Sequence, residues 1–150
     1  MPEVRPLKLG TQLEVPQPRN APFFKLPRNE CMITVSGGGK TVAHIRTLID
    51  RDKLGGLFQK YMVLSPNAFT DPNYKVLARY IEATTGQKRE DCFFSEWDED
   101  KLDEILSTQR AVAKHQTSEK ASKRIYGICV VVDDFADSPS VIDNRAGAML

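Results

Sequence analysis

From position 31 the chain reads Cys31-Met32-Ile33-Thr34-Val35-Ser36-Gly37-Gly38-Gly39-Lys40-Thr41: a short apolar run, a triple glycine and a lysine-threonine pair. The apolar run predicts a strand. Behind the glycines, Val42, Ile45, Leu48 and Ile49 recur on one face at helical spacing until Gly55-Gly56 stops the pattern. Glycines let the backbone curl so that successive N–H groups face inward, and the start of a helix adds the positive end of its dipole. Strand, glycine turn and helix start in that order make a cradle for phosphate oxygens. Lys40 supplies a point charge to that cradle and the Thr41 hydroxyl a ligand for Mg²⁺. One position departs from the full G-x-x-x-x-G-K-[ST] pattern: Thr34 stands where glycine makes the tight exit from the strand. A β-branched residue there strains the turn or changes its path. The competing reading is a glycine-rich surface turn beside a lysine.

Downstream, strand and helix signals alternate. Tyr61-Met62-Val63-Leu64 is a second apolar run, ended by Ser65-Pro66-Asn67. Asp71-Pro72 reads as an N-cap with proline in the first helical position, Val76, Leu77, Tyr80 and Ile81 form the apolar stripe, and Gly86 is the C-cap. Cys92-Phe93-Phe94 is a weaker strand signal, and Leu102, Ile105, Leu106, Val112 and Ala113 follow with helical periodicity. Ile125 to Val132 is the strongest strand, its continuous apolar character suiting a parallel strand covered on both faces. Ser138-Pro139 opens a last helical pattern through Val141, Ile142 and Ala146, which runs into Ala148-Met149-Leu150 without a cap. The expected fold is α/β: a mostly parallel sheet with helices on both faces. Four strands and an uncapped helix leave a thin sheet with an open flank, so the domain is expected to be incomplete at its C-terminus.

The strongest strand ends in chemistry. Ile128-Cys129-Val130-Val131-Val132 leads into Asp133-Asp134, and two carboxylates at the carboxyl end of a buried strand are costly unless something positive sits there. Asp133 is the candidate holder of Mg²⁺, directly or through water, and Asp134 the candidate general base that polarises an attacking water. Alone, such a strand end is more often a turn; paired with the glycine loop it gains weight. Ser36, Gly37, Gly38, Gly39, Lys40, Thr41 and Val42 form the candidate nucleotide-contacting segment. Other residues carry weaker signals. Asn67 ends its strand at the same rim and is read as a turn residue, Trp97 as packing at a helix start, and His44 and His115 as surface or boundary residues. Arg110, Lys114, Lys120, Lys123 and Arg124 are interrupted by Glu119 and read as a solvated face.

The remaining features bound the class. The chain has 150 residues, enough for one domain, and a formal charge of +1, which excludes a polycation. Six of nine prolines lie in residues 1–28, together with Arg5, Lys8, Arg19, Lys25 and Arg28, so 1–28 reads as a flexible basic leader and 29–150 as the folded domain. Within the leader, Phe23, Phe24 and Leu26 are candidates for a first contact with the folded body. Three cysteines without C-x-x-C spacing argue against a disulfide framework. The start of the chain lacks the apolar stretch of a secretory signal, and no apolar run is long enough to cross a bilayer. An intracellular chain is expected, whether in cytoplasm, nucleus or virion.

Phe23-Phe24-Lys25-Leu26, the run from Met32 through the Gly-Gly-Gly-Lys-Thr loop, Tyr61 to Asn67 and Val131 to Asp137 together resemble the poxvirus-type DNA-packaging ATPases of large DNA viruses, in the FtsK/HerA translocase superfamily. The resemblance covers most of residues 23–150. It implies a P-loop ATPase that threads double-stranded DNA into a capsid as a homo-oligomeric ring, with ATP and Mg²⁺ as ligands and capsid components as partners. It implies Walker A at 37–41, with Lys40 and Thr41 in the phosphate and metal roles, and Walker B at 128–134, with Asp133 on the metal and Asp134 as catalytic carboxylate. The superfamily often has glutamate where this chain has Asp134, and aspartate is one methylene shorter. Family members continue past the paired acids with further strands, a polar sensor and an arginine donated across a subunit interface; Arg145 is too close to Asp133 in sequence to be assigned that role. Two alternatives stay open: another P-loop enzyme such as a nucleotide kinase, and a non-catalytic remnant or interaction protein. A GTPase is disfavoured because no N-K-x-D string occurs.

Overall fold

In the computed structural model the described residues are 16–19, 26–27, 29–35, 37–118 and 126–135. They form α1 (Lys40–Ile49), β1 (Lys60–Leu64), α2 (Pro72–Thr85), α3 (Arg89–Cys92), β2 (Phe93–Phe94), α4 (Glu99–Ser118) and β3 (Ile128–Val132). The three strands make one all-parallel sheet in the order β2-β1-β3. This is an α/β arrangement. Parallel neighbours need crossovers, and the helices between the strands supply them.

β1 is the centre, and its alternation splits the core in two. Tyr61 and Val63 point into a cluster with Ile45 and Leu48 of α1 and Leu77 and Ile81 of α2. Met62 and Leu64 point the other way, toward Ile105 of α4, Phe135 and the half-buried Leu102 and Trp97. Helices therefore cover both faces, and the continuous apolar run of β1 follows from burial on two sides. Burying each such side chain stabilises the fold by about 1.5–3 kcal/mol against its exposed state. Leu26 packs against the edge of the first cluster, as expected for the end of the leader; Phe23 and Phe24 lie outside the described residues.

Helix α2 has the predicted boundaries. The Asp71 carboxylate accepts from the Asn73 amide at 2.7 Å, Pro72 occupies the first turn, and Gly86 closes the helix in the left-handed region at φ 76°. Gln59 and Gln87 seal the opening of the sheet. The Gln87 side chain receives the Tyr61 amide at 2.7 Å, and the Gln59 side chain receives the Gly127 amide at 2.6 Å.

One predicted strand is not formed. Cys31–Val35 joins no ladder, and Ile33 and Val35 are 91% and 81% exposed. A strand needs a neighbour to take its amides and carbonyls. Among the described residues none lies along 31–35, and β3 is likewise an edge strand. Three smaller differences concern limits: α1 ends at Ile49 and turns fill 51–56, α4 extends from Glu99 to Ser118, and a one-turn helix, α3, precedes β2. The strand expected from Ile125 starts at Ile128. The helical pattern expected after Ser138 lies outside the described residues.

Candidate nucleotide and metal site

The glycine loop leads directly into α1. Gly37 and Gly39 both have φ 76°, a backbone region that side-chain-bearing residues rarely adopt. Gly38 is required for a different reason: a Cβ there would lie 2.1 Å from the Thr34 hydroxyl. Thr34, the residue that departs from the phosphate-loop pattern, therefore packs against the middle of the loop. The Gly38 amide donates to the Val35 carbonyl at 3.0 Å, so that N–H is directed within the loop. Ser36 lies outside the described residues.

Gly39 caps α1 without any side-chain bond, and the first turn holds no acidic residue. The leading amides of a ten-residue helix thus carry its positive end with no carboxylate from its own first turn to neutralise it. Val42, in that first turn, is partly exposed.

At the end of β3 the paired acids meet this helix start. Thr41 donates from its hydroxyl to Asp133 Oδ2 at 3.0 Å, and Lys40 Nζ lies 3.4 Å from Asp133 Oδ1 and 2.9 Å from Asp134 Oδ1. The Asp133 amide bonds the Leu64 carbonyl at 2.9 Å, extending the register of β3 on β1 by one residue and fixing where the carboxylate emerges. Asp134 sits in the left-handed region at φ 59°, which aspartate tolerates better than most residues and which turns its side chain toward Lys40.

A third group completes the arrangement. Tyr74, in the first turn of α2 and 1% exposed, donates its hydroxyl to Asp133 Oδ2 at 2.6 Å. The sequence does not single out this residue. Its position three residues after the Asp71 cap, in the first turn of a helix that starts behind β1, is the only signal that leads to it.

These contacts set the ionisation of the site. Burial works against the charge of Asp133, but the hydroxyls of Tyr74 and Thr41 and the Lys40 ammonium outweigh it and hold the carboxyl below its ordinary value. The hydrogen bond to Asp134 holds Lys40 above its ordinary value, against partial desolvation and with the help of Asp133. Burial, followed by the bond to Asp133, pushes the Tyr74 phenol well above its ordinary range, so it is a donor at neutral pH. His44, on α1, is pushed down by burial against the pull of Glu30 and Asp133.

The donor set fits a triphosphate with Mg²⁺. Mg²⁺ is commonly held by one or two carboxylates together with waters and phosphate oxygens, and Thr41 with Asp133 offers a hydroxyl and a carboxylate side by side. A cation at Lys40 and a helix start with no side-chain cap suit the anion.

The other candidates have structural places. Asn67 makes a turn: its carbonyl accepts from the amides of Thr70 and Asp71, and its own amide donates to Ser65 Oγ. Trp97 stacks edge-on against Phe135 at 5.9 Å beside the start of α4. Arg110 and Lys114 are exposed on α4, whereas Lys120, Lys123 and Arg124 lie outside the described residues. Burial pushes the thiols of Cys92 and Cys129 up to about 12, so neither is a nucleophile at neutral pH. No helix among the described residues is long and apolar enough to cross a membrane.

No protein-family model, curated protein or solved structure matches this chain.

Proposed function

We propose that this chain is the ATP-binding part of a P-loop ATPase of the DNA-translocating type, with Mg²⁺ held by Thr41 and Asp133. The observation that carries the reading is the meeting of Lys40 and Thr41 with Asp133 and Asp134 at one end of the sheet. Phosphoryl transfer is mostly positioning and charge neutralisation, and these four side chains supply both. Lys40 leaves Asp134 for the phosphates when nucleotide binds, which frees the Asp134 carboxylate to orient a water. Mg²⁺, when bound, offsets phosphate charge. The assignment to DNA translocation, to a ring and to a viral capsid rests on the resemblance of the motifs and the segments between them.

A second reading draws on the loop itself. Thr34 against Gly38, and the Gly38 amide turned to Val35, favour a site that holds nucleotide without turning it over. Among the described residues β3 has no neighbour on its outer edge, and that edge together with the exposed Ile33 and Val35 favours further strands completing the sheet in the working ATPase. An arginine supplied by a neighbouring subunit contributes about 10³–10⁵ in rate to enzymes of this kind, so the isolated chain is expected to bind ATP far better than it hydrolyses it.

Calorimetric titration of MgATP, followed by phosphate release with and without double-stranded DNA, tests both readings. Binding that Lys40→Ala removes is the expected result. The same heat in Lys40→Ala rejects the phosphate-cradle assignment. DNA-stimulated turnover separates a translocase from a remnant, and phosphate transfer to a small acceptor in a coupled assay identifies a kinase instead.

A further inference from the structure

The Asp133 carboxylate receives two hydroxyls on one oxygen. Thr41, from α1, and Tyr74, from α2, both donate to Oδ2, while Oδ1 is the oxygen that faces Lys40 at 3.4 Å. A carboxylate held on a single oxygen from two directions has lost its freedom to rotate about Cβ–Cγ, and its second oxygen is committed to the site. We propose that Tyr74 is a positioning residue for metal-dependent nucleotide binding: its hydroxyl pins Asp133 so that Oδ1 is presented to the metal and its waters. The proposal rests on the nucleotide-site reading above and adds a residue that the phosphate-loop motifs do not contain.

Tyr74 is built for a fixed hydroxyl. Its ring stands edge-on to Phe93 of β2, with centroids 6.0 Å apart at 73°, and the residue is 1% exposed. Its amide bonds the Asp71 carbonyl at 3.2 Å inside a capped first turn, so the backbone beneath the ring is set as well. A phenylalanine would fill the same apolar space; the hydroxyl is the part of the side chain that addresses the site. Groups that orient a metal ligand in this way typically govern about 10–100-fold in metal affinity.

The test uses the full chain and ATP, with binding measured in EDTA and across a MgCl₂ titration. Tyr74→Phe should leave affinity in EDTA within about twofold of the parent, while the MgCl₂ midpoint rises about tenfold. Tyr74→Met, which also fills the apolar space without a hydroxyl, should shift the midpoint in the same direction, and it carries the test alone if Tyr74→Phe does not fold. An unchanged MgCl₂ midpoint in a folded Tyr74→Phe, or in Tyr74→Met where that carries the test, overturns the proposal and makes Tyr74 a packing residue. A parent chain that binds no ATP, or a Lys40→Ala variant that binds as well as the parent, overturns the nucleotide-site reading and the role of Tyr74 with it. The two failures are therefore separate observations.

Discussion

The Thr41 hydroxyl donates to the Asp133 carboxylate at 3.0 Å, although 92 positions separate the two residues in the chain. That bond joins the start of α1 to the end of β3. The loop that precedes Thr41 and the acids that end β3 are thereby brought to one rim of the sheet.

Breaking that bond should be measurable apart from any ligand. Thr41→Val keeps the shape and removes the donor, leaving Asp133 Oδ2 with Tyr74. A hydrogen bond to a charged group contributes about 1.5–3 kcal/mol, so urea unfolding should show a loss of roughly that size. Thr41→Ser, which keeps the hydroxyl, should lose less than about 0.5 kcal/mol. Equal losses in both variants would mean that the methyl group, and not the bond, matters.

Acid should weaken the fold through Asp133. Its pKa is lower in the folded chain than the ordinary 3.8, so its charge stabilises above that value and the contribution disappears as pH falls through the lowered one. Asp133→Asn carries no charge at any pH. The parent should therefore exceed Asp133→Asn in stability at about pH 7 and at about pH 5, with the gap closing below about pH 4. Urea midpoints across that range give the answer, and a gap that persists unchanged in acid contradicts it.

Thr34 and Gly38 should behave as a coupled pair. Gly38→Ala alone places a Cβ 2.1 Å from the Thr34 hydroxyl and should abolish most ATP binding. Adding Thr34→Gly clears that contact and should restore part of the affinity, the remaining deficit arising from the Val35 carbonyl at 3.0 Å. Calorimetry on the two single variants and the double variant completes the cycle. Strict additivity would show that the threonine does not shape the loop.

The two faces of α2 should differ sharply. Leu77 is fully buried between α2 and the sheet, whereas Val76 is 54% exposed. Leu77→Ala should cost about 2–5 kcal/mol and Val76→Ala less than about 1 kcal/mol in chemical denaturation.

Asp134 should separate binding from turnover. Asp134→Asn keeps a side chain that accepts the left-handed backbone at φ 59°. It should retain ATP binding and eliminate any hydrolysis, measured as phosphate release. Full turnover by this variant would remove Asp134 from the role of general base.

Much of the architecture was readable because its signals are local. Asp71-Pro72 and Gly86 bracket α2 through bonds within a few residues, and the apolar run of β1 needs only its own side chains to declare burial on two faces. The glycine loop was readable for the same reason, since φ 76° at Gly37 and Gly39 is a property of those residues. Cys31–Val35 misleads because an apolar run states a preference for burial, while a strand also requires a neighbour along its edge. Tyr74 was hidden for the opposite reason: a tyrosine on a helix face has no sequence mark for the carboxylate that its hydroxyl meets 59 positions away.

Composition and spacing alone marked β1, β3, the caps of α2 and the candidate residues Lys40, Thr41, Asp133 and Asp134. The folded chain alone decided that those four side chains share one rim, that Thr34 leans on Gly38, and that the Tyr74 hydroxyl donates to Asp133. The division has a physical cause. Caps, turns and apolar periodicity act over a few residues, whereas the partner of a charged or hydroxyl group is chosen by which strand ends the crossovers bring together.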